Sequence, residues 1–94
     1  MKTTDSVKSL KKAKMLDKIL EWFSDEDILK ADGLDDAIIG IEVNSSRLIY
    51  SKSKVISILI RDGMTELEAL EHYDFNIEGA YVGDKTPIWC TDDL

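Results

Sequence analysis

Ninety-four residues are enough for one domain around one core, and an apolar fraction of 44% with 33% charged residues is that of an ordinary globular chain, which argues against wholesale disorder. The single cysteine, Cys90, excludes an intrachain disulfide and fits a reducing compartment. No run approaches the roughly 20 apolar residues of a membrane span, and the N-terminal lysines have no apolar stretch behind them, so neither a signal peptide nor a membrane partner is expected.

The net charge of −7 is unevenly placed. Residues 1–18 hold six lysines against Asp5 and Asp17, whereas residues 19–94 hold six basic against seventeen acidic side chains. The body should repel nucleic-acid phosphate; only the N-terminal lysines would attract it or an acidic partner. Lys8, Lys11, Lys12, Lys14 and Lys18 form that candidate basic face, to be weighed against the plain reading of a solvated helix surface.

Residues 1–6 are polar and read as a flexible N-terminus, with 7–94 a single domain made of a helical segment, 7–31, and a compact body, 33–90. Over 7–23 the apolar residues recur at helical spacing: Leu16, Ile19, Leu20 and Phe23 make one stripe, with Leu10 and Ala13 above it. Such a helix can pack on the body or on a second copy of the chain. Ser24 followed by three carboxylates predicts a second, short helix ending near Lys30, broken at Asp32 and Gly33.

The period then becomes two. Residues 37–43, with Ile39, Ile41 and Val43 on one face, and 47–51, with Leu48 and Tyr50 on one face, predict a β-hairpin closed by Asn44, Ser45 and Ser46. Ser51 is placed to cap a helix over 52–61 with core residues Val55, Ile56, Leu59 and Ile60, and Gly63 stands where a left-handed residue ends it. Thr65 and Glu68 form a capping-box pattern for a further helix carrying Leu67, Leu70 and Tyr73 and ending by about Asn76. For the tail two readings stay open. One is a tight turn at Gly83 and Asp84 joining 80–82 to an edge strand 88–90; the other is a loop draped over the helices. The fold class is therefore α+β: an amphipathic N-terminal helix, a central hairpin, two further helices and a C-terminal loop or edge strand.

Motifs of catalysis and metal binding are weak. Glu68 and His72 share a helix face, but two ligands do not make a zinc site. The carboxylates of 25–36 lack the spacing of a calcium loop, because Ile28 falls where an aspartate is needed. Cys90 has no base at a telling spacing, no glycine-rich phosphate loop precedes a helix, and seventeen carboxylates in the body make a pairing by chance the better account of any acid–base couple. A non-enzymatic protein without cofactor or metal is expected. The tail is different. Tyr and Trp are common anchors of binding surfaces. Asn76, Tyr81, Asp84, Thr86 and Trp89, with Tyr50 nearby, are the candidate binding residues, set against a structural role in closing a small core.

The segments Asp36-Ala37-Ile38-Ile39-Gly40-Ile41, Tyr50-Ser51, Gly63-Met64 and above all Asn76-Ile77-Glu78-Gly79-Ala80-Tyr81-Val82-Gly83-Asp84-Lys85-Thr86-Pro87-Ile88 resemble a family of small uncharacterised bacteriophage proteins. The likeness runs over 33–89; such proteins commonly carry Phe where Trp89 stands and Glu where Asp84 stands, and the N-terminal helix lies outside it. The resemblance implies a phage origin and action in the cytoplasm of a bacterial host, and it implies no chemistry. Small phage proteins of this kind often bind and redirect a host protein, defence enzymes included. The expected function is thus binding of a host macromolecule; the alternative is a small-ligand or nucleotide-binding protein using the 81–87 loop.

Overall fold

A computed structural model describes residues 15–24 and 27–94. The chain forms α1 (Met15–Trp22), β1 (Ile38–Glu42), β2 (Arg47–Ser51), α2 (Lys52–Arg61), α3 (Glu66–His72) and β3 (Ile88–Cys90), with a 3-10 turn at Asp35–Ala37 and a π-turn at Tyr73–Ile77. The three strands make a mixed sheet in the order β1-β2-β3: β2 runs antiparallel to β1 and parallel to β3. This is the α+β class expected from the changes of period.

Leu16 and Ile19 bury the stripe of α1 in the same core as the strands, with Phe23 half-buried behind them and Leu20 left largely outside. That core is thus completed by α1 rather than confined to 33–90. Leu16 and Ile19 thus pack on the body, while Met15, Leu20 and Trp22 of α1 stay exposed. The portion of the predicted helix over 7–14, the N-terminus 1–6, and Lys8, Lys11, Lys12 and Lys14 lie outside the described residues; Lys18 is exposed on α1.

The short helix predicted to end near Lys30 is not formed, since residues 27–31 run as irregular chain up to the turn at Asp32 and Gly33. A helix of that length gains too few hydrogen bonds to offset its nucleation. Here a tertiary partner competes as well: the Ala31 N–H donates to the Tyr50 hydroxyl at 2.8 Å.

The hairpin forms where expected but with a different inner face. Ile38 pairs with Tyr50 and Gly40 with Ile49, leaving Ile39 as the extra residue of a β-bulge. The bulge resets the alternation, so Ile38 and Ile41, three apart, both join Leu48 and Tyr50 over the core, while Val43 is exposed in the turn. The left-handed residue of that turn is Ser46 (φ 58°), not Asn44. The Glu42 carboxylate organises it, accepting from the Ser45 hydroxyl at 2.7 Å and from the Ser45 and Asn44 N–H groups at 2.8 and 3.2 Å. These bonds, the hydroxyl's first, hold the Glu42 carboxyl below its ordinary pKa.

The helix caps follow the sequence closely. The Ser51 hydroxyl accepts from the Lys54 N–H, and Thr65 and Glu68 bond reciprocally at 3.1 and 2.8 Å. At the end of α2 the Gly63 N–H reaches the Ile60 carbonyl and the Met64 N–H the Leu59 carbonyl, with Gly63 at φ 119°. This paired pattern closes the helix and requires the backbone freedom of glycine. The buried stripe of α2 is Val55, Ile58 and Leu59, with Ile56 half-buried. Ile60 faces outward, because the sheet accepts a narrower i, i+3, i+4 stripe than the run of apolar residues offers.

The tail does not fold back on residues 80–82. Ile88, Trp89 and Cys90 instead pair in parallel with Ile49, Tyr50 and Ser51, so the hairpin reading of the tail is replaced by an edge strand against β2. Pro87, which lacks a donor, falls just before this strand. Past the strand, Asp92 seats on the α2 N-terminus, accepting from the Ser53 N–H at 2.9 Å and from the Ser51 hydroxyl, while Lys52 and Asp93 form an ion pair at 3.2 Å.

The core centres on Tyr50 and Tyr73, both wholly buried. The Tyr50 hydroxyl accepts the Ala31 N–H, whereas the Tyr73 hydroxyl meets no partner among the described residues. Tyr50→Phe, which orphans a backbone donor, should therefore destabilise by about 1–3 kcal/mol in urea unfolding, and Tyr73→Phe should leave stability unchanged or raise it. A loss of equal size in both variants would contradict this account. Burial first, then the charge of Glu78 and its acidic neighbours, pushes the Tyr73 phenol up to about 12. The unfolded chain ionises near pH 10, so stability should fall as pH rises from about 10 to 12. At the acid end the Ser51 hydroxyl and the Ser53 N–H hold Asp92 below its ordinary pKa. Its contribution should be full above pH ~4 and lost as pH falls through the lowered value. Thermal melts across pH should show both limbs, with the acid limb shallower in Asp92→Asn.

Candidate functional site

Trp89 follows Pro87 and Ile88 onto the edge strand, and its indole lies 4.8 Å from the Tyr50 ring in a tilted contact and 6.1 Å from Tyr73 edge-on. Such contacts add about 0.5–1.5 kcal/mol each beyond burial. Lys52 Nζ completes the group 5.6 Å from the Tyr73 centroid. Tyr50 is thus a core residue rather than a surface one, and Trp89 is the half-buried end of the aromatic group.

The loop 78–87 connects the π-turn to this strand, and three side chains pin it. The Thr86 hydroxyl accepts from the Val82 N–H at 2.9 Å and donates to the Gly83 carbonyl at 2.6 Å, closing the loop on itself around Gly83 (φ 111°). Arg47 Nε donates to the Thr86 carbonyl, and Lys85 Nζ donates to the Ser45 carbonyl at 2.7 Å. Thr86 is buried and its role is structural. The fixed loop presents what it does not bury: Tyr81 is 75% exposed and Val82 62%. Asp84 stands exposed beyond them.

Between this loop and segment 27–34 lie two adjoining cavities with Trp89, Ala31 and Ala80 in the walls of both. One, about 210 Å³, is apolar, with Leu29, Val82 and Pro87 closing it. The other, about 290 Å³, continues past Leu34, Leu59 and Ile77 to His72 and Asn76. Asn76 Nδ2 and His72 Nδ1 stand 3.2 Å apart on this wall. The candidate binding residues therefore separate: Trp89 and Asn76 come together at one cavity, Asp84 borders a neighbouring depression, Tyr81 is exposed on the loop without lining either, and Tyr50 and Thr86 are buried.

Of the candidate metal pair, Glu68 is engaged in the capping box and His72 faces Asn76. Among the described residues no group of three or more His, Cys, Asp or Glu is placed to hold a metal ion. The geometry suits docking of apolar side chains beside carboxylates.

Three contributors were not singled out from the sequence: Leu29 and Ala31, read as the end of a helix, and Phe75, which is 81% exposed. A signal for Phe75 did exist. Two positions on from Tyr73 in a helical turn, it points away from whatever face buries Tyr73.

Thr86→Val should release the Val82 amide. Hydrogen exchange at that amide should quicken by about five- to tenfold, matching the roughly 1–1.5 kcal/mol net value of a hydrogen bond, with exchange in α2 unchanged. Unaltered protection at Val82 would show that Thr86 does not hold the loop.

No known protein family, curated protein or solved structure matches this chain.

Proposed function

We propose that this protein is a non-enzymatic interaction module, a phage accessory protein that binds a host protein and thereby blocks a host enzyme or defence system. The observation carrying this reading is the pinned loop that leaves Tyr81 exposed to solvent and sets Val82 on the rim of an apolar cavity. A loop stabilised at three points by Thr86, Arg47 and Lys85 binds at a low entropic cost, and exposed aromatic side chains beside an apolar pocket are the usual anchors of interfaces. Phage origin rests on the resemblance of the 76–88 block. Among the described residues no helix is long and apolar enough to cross a membrane.

The alternative, a nucleotide-binding loop, has less support. Tyr50 lies in the core instead of lining a pocket with the loop, and the carboxylates around the cavities oppose phosphate.

Affinity capture from bacterial lysate is the direct test. The wild-type bait should retain one dominant protein, and Tyr81→Ala should retain markedly less of it. Equal background recovery on both baits would overturn the proposal.

A further inference from the structure

The two cavities at Trp89 are the middle of a longer trench. At one end a depression of about 220 Å³ shares Leu29 and Val82 with the apolar cavity and adds Asp27 and Asp84. At the other end an open depression of about 570 Å³ shares His72 and Asn76 with the 290 Å³ cavity and adds Met64, Phe75 and the carboxylates of Asp62, Glu68 and Glu71. In the middle one side is formed by segment 27–34 and the other by the π-turn and the pinned loop; at the 570 Å³ end the walls are residues 62–64 and the α3 face with the π-turn. The floor is apolar in the middle and both ends are acidic. Among the described residues three cations stand close by: Lys85 on the wall of the 220 Å³ depression with Nζ turned to the Ser45 carbonyl, Arg61 paired with Asp62 at 3.3 Å, and Lys30 paired with Asp35 at 3.5 Å, so carboxylates still outnumber cations at both ends.

We infer that this trench seats an extended peptide segment of a partner protein, with apolar side chains at its centre and Lys or Arg at its two ends. The inference rests on the reading that the protein acts by binding another protein. Charge complementarity selects the ends, since five carboxylates border the two terminal depressions. The serial form selects the centre. The two middle cavities, about 290 and 210 Å³, follow one another along Trp89 and run on into the end depressions, which suits successive side chains of one chain. Nucleic acid is disfavoured by the same carboxylates. The body of a second copy, with six basic against seventeen acidic side chains over 19–94, would oppose an acidic trench; only its lysine-rich residues 1–18 would match the ends, and a dimer is one of the outcomes the test separates.

The test uses the full chain against a displayed library of random peptides. Selected peptides should carry Lys or Arg on both sides of an apolar centre. A synthetic peptide of the selected sequence should bind about tenfold or more weakly to Val82→Asp, the scale of losing an interface anchor. It should bind several-fold more weakly to Glu71→Lys, and its affinity should fall as salt is raised. Both positions are exposed, so neither variant disturbs the core. Peptides without basic ends, binding indifferent to both substitutions, or no enrichment over an unrelated control would overturn the inference. So would a dimer that Val82→Asp disperses, since it would give the trench to a second copy. The lysate capture separates the two levels. If Val82→Asp retains the wild-type partner in full, the interaction reading stands and the trench assignment fails; if the wild type captures nothing and enriches no peptide, both fail.

Discussion

The phenol of Tyr50 is the point on which most of the structure turns. It sits wholly buried on the central strand, and burial of a ring this size is among the largest single contributions a small core can receive. Its hydroxyl cannot be left unpaired without cost, and the Ala31 N–H supplies the partner. That bond, with Leu34 buried in the core and Ile28 and Ala31 packed against it, holds segment 27–34 against the body and competes with a short helix there. The same ring carries Trp89 on its other side, which brings the C-terminal strand to β2. Both walls of the trench thus depend on a residue that never reaches it.

Stability and presentation are divided between different side chains of the tail. Trp89 and Thr86 face inward and fix the loop, aided by the Arg47 and Lys85 bonds that tie it to the turn end of the β1–β2 hairpin. Tyr81, Val82 and Phe75 face outward and stay largely exposed to water. Tyr73 shows a cost accepted inside the core: a buried hydroxyl with no described partner, on a ring that still closes against Trp89. The acidic body adds a long-range preference, favouring basic partners and opposing phosphate before any contact is made.

Local chemistry could be read directly from the chain. The Ser51 cap, the Thr65 and Glu68 capping box, the left-handed Gly63 and the paired Leu48 and Tyr50 were all expected from residue type and spacing, because each depends on neighbours within four positions. The α+β class followed from the change of period. The candidate site was half visible. Aromatic and turn residues marked the loop, but which of them faces the core was not written in their order.

What the sequence determined by itself, then, was the β1–β2 hairpin and the helices α2 and α3 with their caps, since hydrogen bonding at caps and turns is settled locally. Tertiary structure alone decided three things: the bulge at Ile39 that turns Ile38 and Ile41 to the same face, the parallel pairing of 88–90 with β2 instead of with 80–82, and the unwound course of 27–31. Each was decided by a partner that lies far along the chain. Tyr50 is the chief one, and no local pattern records which distant donor its hydroxyl will accept or which ring its face will meet.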